Sequence, residues 1–106
     1  MTFDELSERV MRVRNRYAAL EQKRYGRPWN VEEVALGFVG DVGDLAKLVL
    51  AEAGMRGIPD HREQLGHELA DCHWSVLVLA RLCGVDLEQA FASTMELLEA
   101  RLATQA

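Results

Sequence analysis

Four times in this chain a side chain able to cap a helix is followed, three residues later, by Glu or Gln: Thr2 with Glu5, Asn30 with Glu33, Asp60 with Glu63, and Asp86 with Gln89. The spacing lets the first side chain accept from the backbone N–H of the third helical residue while the second reaches back to the cap's own N–H. Stop signals alternate with these starts: Gly26 ahead of Arg27 and Pro28, Gly54 and Gly57 ahead of Pro59, and Gly84. Glycine closes helices because it accepts the left-handed backbone that ends them. The pattern predicts helices near 3 to 25, 31 to 53, 61 to 83 and 87 to 104, with both prolines in the connections. Connections this short favour antiparallel neighbours. The expected fold is all-α: one antiparallel four-helix domain over residues 1–106.

Charge narrows the partners. Residues 1–28 carry seven Lys/Arg against four Asp/Glu, and residues 29–106 carry five against thirteen. An acidic body argues against a nucleic-acid duplex, whose phosphates call for dense Lys/Arg, and it suits a cation. No apolar run approaches the ~20 residues of a membrane span, and the N-terminus lacks a secretion signature, so no membrane association and a cytoplasmic location are expected. Cys72 and Cys83 fall eleven residues apart on one expected helix, too far apart to bridge.

The second expected helix carries an apolar stripe at Val31, Val34, Phe38, Val42, Leu45 and Val49, and the third one at Leu65, Leu69, Cys72, Val76, Leu79 and Cys83. Asp41 with Asp44, and Glu68 with Asp71, are pairs three apart, so each pair shares a helix face. At 100° per residue Asp41 falls between Phe38 and Leu45, and Glu68 between Leu65 and Cys72, inside or bordering the stripes. Carboxylates gathered at an apolar interface repel one another and lose hydration unless they are protonated, paired with basic groups or bound to a cation. Oxygen donors without a His or Cys set point to Mg²⁺, with Mn²⁺ possible. Pairing with Arg or Lys across the bundle is the alternative, Lys47 lying one turn beyond Asp44. Gly37, Gly40 and Gly43 recur every three residues, which suggests close approach by a neighbouring helix or room for a ligand.

A helix bearing Asp41, Val42, Gly43, Asp44, Leu45 and Ala46, a turn, and a helix bearing Glu68, Leu69, Ala70 and Asp71 resembles the MazG-type all-α nucleoside triphosphate pyrophosphohydrolases, from about Trp29 to Glu88. The resemblance implies hydrolysis of a (deoxy)nucleoside triphosphate to the monophosphate and pyrophosphate. It also implies Mg²⁺ held by Asp41, Asp44, Glu68 and Asp71, with Glu68 and Asp71 catalytic, and a homodimer or larger assembly. The chain departs from the family in having aspartates where the first motif usually has two glutamates. Its last helix also lacks the basic residue and asparagine common there.

Trp29, just before the second helix, is the candidate to stack on a base, with Arg27 and Lys47 as substrate-binding cations. Arg9, Arg12, Arg16, Lys23, Arg24 and Arg27 make the first helix basic, suited to phosphate or to salt bridges. His67 and Asp71 have i, i+4 spacing, but no His or Cys on the second helix would complete a zinc site. A di-iron bundle would show Glu-x-x-His pairs, and none is present. The last helix carries a packing stripe of Leu87, Ala90, Phe91, Thr94, Met95, Leu98 and Leu102. A different class of reading is a non-catalytic dimerisation or regulatory module that retains a vestigial cation site.

Overall fold

The computed structural model describes residues 1–105. It holds four helices and no strand among them: α1 (Phe3–Tyr25), α2 (Val31–Glu52), α3 (His61–Leu82) and α4 (Leu87–Ala103). The boundaries lie within a residue of those expected, and at α1 and α2 the full reciprocal caps are formed. The Thr2 and Asn30 side chains accept from the N–H groups of Glu5 and Glu33, whose carboxylates return the bond to the cap N–H. At α4 half of the device is built. Asp86 accepts from Gln89 N, while the Gln89 side chain donates instead to Ser93 Oγ at 3.1 Å.

Asp60 departs from expectation. Its backbone is left-handed, φ 55° and ψ 30°, and its side chain caps nothing. Cap residues accept from the helix while in extended backbone, and the turn after Pro59 leaves Asp60 outside that region. The Gln64 side chain instead donates to the Pro59 carbonyl at 2.9 Å.

The core is small. Val10 of α1, Val34 of α2, and Leu77 and Val78 of α3 form its buried centre, bordered by Phe3, Leu6, Trp74, Leu79 and Leu87. Helix α3 packs on both α2 and α1, and α4 has no comparable packing against the other three. The buried faces differ in phase from the expected stripes, since Val42 (44% exposed), Val49 (51%) and Leu69 (52%) face outward. Helix α2 is apolar on several faces, and its register on α3 is set by Val34 and Leu48, which are buried, while Leu36 and Val39 are not. Periodicity alone does not choose among such faces.

Much of the expected α4 stripe is also uncovered: Phe91 is 61% exposed and Leu102 66%. The chain exposes 7872 Å² in all, about 2,000 Å² more than a compact monomer of its mass. Its radius of gyration is 17.0 Å, against about 13 Å for a compact domain of this length. Among the described residues no helix is long and apolar enough to cross a membrane.

Candidate metal centre

Asp41 lies seven residues from Val34 and seven from Leu48, both buried, so two helical turns in either direction place it on the packed face of α2. On α3, Glu68 and Asp71 precede the buried Ser75 and Val78 by the same seven residues. The acids therefore occupy core-facing positions, though on a different set of apolar neighbours from those the stripes suggested. Asp41, Glu68 and Asp71 are half-buried, and Asp44 is exposed.

One oxygen each from Asp41, Asp44 and Glu68 lies within 4.8 Å of the others. Ligands of a single Mg²⁺ at ~2.1 Å sit about 3 to 4 Å apart, so small side-chain rotations suffice to close the set. Among the described residues none of these three acids is in an ion pair. Pairing with Arg or Lys is thus not how the triad is neutralised, and Lys47 is exposed and unpaired beside it. The repulsion bears on Glu68, whose pKa is raised by burial first and then by the neighbouring charges of Asp41, Asp71 and Asp44. Cys72 is a free thiol with its pKa likewise pushed up by burial and by Asp41, Glu68 and Asp71.

Asp71 stands apart from the triad. Its Oδ2 lies 3.3 Å from His67 Nε2. Asp71 and Asp41 both line an open cavity of about 570 Å³ walled by α1, α2, α3 and the α1–α2 connection. The cavity wall is aromatic, with Tyr17, Trp29, Phe38 and Trp74, and it includes Arg14 and Arg24. Tyr17 and Trp74 meet edge to face, centroids 6.0 Å apart. Trp29 is thus placed at the cavity that the acids adjoin. Arg27 is not on its wall: its guanidinium is bound in two hydrogen bonds to Glu33, lowering that carboxyl's pKa.

Sequence reasoning passed over Arg14, Glu21 and Tyr17. Arg14 is buried, donates to Glu21 Oε1 at 3.1 Å, and donates to the Trp29 carbonyl. The same Glu21 oxygen accepts from Trp29 N at 2.7 Å. The signal was present: Arg14 follows Val10 by four residues and precedes Glu21 by seven, so it falls on the apolar face of α1 and not among that helix's solvated cations. The glycine series also divides. A Cβ at Gly37 would lie 3.3 Å from the Trp29 ring, whereas one at Gly40 or Gly43 would meet nothing within 4 Å. Gly37 seats a side chain, and the close helix approach expected at the other two is not made within the chain.

No family model and no curated protein matches the sequence.

Proposed function

We propose that the chain is a MazG-like, Mg²⁺-dependent pyrophosphohydrolase that converts a (deoxy)nucleoside triphosphate to its monophosphate and pyrophosphate. The observation that carries this reading is the unpaired carboxylate triad of Asp41, Asp44 and Glu68 at the edge of an aromatic cavity. Three converging oxygens and no resident basic group make a set suited to a hard divalent cation, Mg²⁺ or Mn²⁺. When bound there, the cation would offset phosphate charge and make water a better nucleophile. Asp41, Asp44 and Glu68 supply ligand oxygens in this reading. Asp71, oriented by His67, adds a fourth carboxylate from the cavity side. Glu68 and Asp71 are the groups assigned to accept the proton of the attacking water. Trp29 meets the base, while Arg27 and Lys47 meet the phosphates after release or rotation from their resting positions.

The same reading makes the working form a cytoplasmic homodimer of antiparallel four-helix subunits. The uncovered apolar face of α4 and the excess surface support it, since ~800 Å² per partner is enough for a stable interface. That uncovered face is also the observation that favours the second reading, a non-catalytic dimerisation module. Pyrophosphate release from a panel of nucleoside triphosphates with Mg²⁺ decides between them. Release by the wild type that is lost in Glu68→Ala supports the enzyme. No release from any substrate, or release unchanged in the variant, leaves the module.

A further inference from the structure

Helix α2 is apolar on several faces, yet only the side towards α3 is well covered. Among the residues exposed between Leu36 and Leu50, only Asp44 and Lys47 carry charge. Leu36, Val39, Val42, Val49 and Leu50 are 41% to 71% exposed. A helix with apolar residues all round belongs inside a structure, so this outer face calls for a cover. Gly40 and Gly43 lie within it, and a Cβ on either would meet nothing within 4 Å. Glycine weakens a helix interior, and nothing in the chain uses the space these two leave.

Helix α4 has the converse shape. Phe91, Met95, Leu98 and Leu102 recur at heptad spacing, and Phe91 and Leu102 are 61% and 66% exposed. On α2, Leu36, Gly40, Gly43, Lys47 and Leu50 recur at the same spacing. Large side chains on one seam and absent ones on the other are the knobs and holes of a packed helix pair. Two α2 faces set together would instead place glycine against glycine and leave the space unfilled. Within its own chain α4 packs on no other helix as α3 packs on α2. The surface area agrees with two bare faces and not one. The chain's excess of about 2,000 Å² over a compact monomer is more than twice the ~800 Å² that a standard interface covers on each partner.

We propose that the outer face of α2 is the seat for α4 of a second copy, with Phe91, Leu98 and Leu102 entering the space left at Gly40 and Gly43, and that the exchange is reciprocal. The proposal rests on the dimer of the preceding reading and specifies which faces meet. Asp44 follows Gly40 by one turn, so the seated helix also borders the exposed member of the carboxylate triad.

The test is disulfide trapping in the full chain with Cys72 and Cys83 replaced by alanine. One preparation carries Gly43→Cys, another Leu98→Cys; both positions are central to their seams, so the pair can form whichever way the helices run. In a glutathione buffer the mixture is expected to give a linked pair containing one of each, and neither preparation alone is expected to link. Linked pairs from Leu98→Cys alone, meaning that α4 meets α4, overturn the proposal, as do linked pairs from Gly43→Cys alone. A chain carrying both substitutions that closes on itself at high dilution overturns it too, the seat then being filled by its own α4. Gly43→Leu, which fills the seat, is expected to weaken dimerisation roughly ten-fold for each of two seats, about a hundred-fold together. Its helical content by circular dichroism is expected to be unchanged, since the added side chain meets nothing within the chain. A Gly43→Leu dimer as tight as wild type overturns the proposal. If the wild type is dimeric but links only through Leu98→Cys, the dimer stands and the seat on α2 falls; a monomeric wild type removes both.

Discussion

Glu68→Gln gives opposite results with and without a divalent cation, because the same repulsion that penalises the empty cluster is what the cation relieves. In the metal-free protein the Glu68 carboxylate has oxygens of Asp41 and Asp44 within 4.8 Å. Two unit charges at that separation repel by about 0.9 kcal/mol even at the dielectric constant of water. Two such pairs give about 2 kcal/mol, which salt screening and the exposure of Asp44 bring to about 1 kcal/mol. Glutamine keeps the shape and removes the charge. Metal-free Glu68→Gln should therefore melt higher than wild type, by about 4–8 °C for a domain of this size. Adding Mg²⁺ should raise the wild-type Tm, since a ligand bound only by the folded state stabilises it, and should leave the variant nearly unmoved. Thermal unfolding followed by circular dichroism, in EDTA and then in Mg²⁺, reads both arms. A variant less stable than wild type in EDTA, or an equal Mg²⁺ response in the two proteins, would refute the reasoning.

The pH dependence has a definite sign. Glu68 titrates above its ordinary value when folded, so its ionisation destabilises the fold at neutral pH. That penalty is relieved as pH falls through the raised value towards the unfolded one. The advantage of metal-free Glu68→Gln over wild type should accordingly shrink between about pH 7 and about pH 4, and a constant difference would contradict the assignment. Glu33 and Glu52 have the opposite sign, their pKa values being lowered by Arg27 and Arg62, so their contributions are present above the unfolded value and lost in acid. At the helix starts, Asp60→Gly should stabilise by about 1 kcal/mol through relief of left-handed backbone. Asp86→Ala should cost about 1 kcal/mol through loss of a formed cap. Urea midpoints that moved in the same direction for both would refute this. Sedimentation equilibrium should give a dimer for the wild type and a shift to monomer for Phe91→Lys with Leu102→Glu on the uncovered face of α4. A monomeric wild type would remove the dimer from the account.

Helix boundaries were legible because caps and glycine stops act within a few residues of chain. Asn30 with Glu33 shows this at its clearest, both reciprocal bonds being made. Asp60 with Glu63 has the same spacing and makes neither, its backbone being left-handed where a capping residue is extended. Packing was less legible. With Val34 buried and Leu36 and Val39 outward on the same helix, α2 offers more than one apolar face, and only contact with α3 selects among them. Asp41 and Glu68 are half-buried in spite of this, since Asp41 keeps heptad spacing with Val34 and Leu48 whichever neighbours are counted, while Asp44 is exposed. Asp71 acts on Glu68 through its charge and is also in contact with His67 on its own helix, a pairing that i, i+4 spacing makes legible. The spacing of Arg14 from Val10 puts it on the apolar face of α1, but its bond to the Trp29 carbonyl, fifteen residues away, is encoded by no local pattern.

The central claim is that Asp41, Asp44 and Glu68 hold one hard divalent cation between α2 and α3. Titration of Mn²⁺ into the metal-free protein, with free Mn²⁺ followed by electron paramagnetic resonance, tests it without requiring activity. The account predicts saturable loss of the free-ion signal with the wild type, reversal by excess Mg²⁺, and little loss with Asp41→Asn or Glu68→Gln. An undiminished free-ion signal with the wild type, or equal uptake by Asp41→Asn, would contradict it.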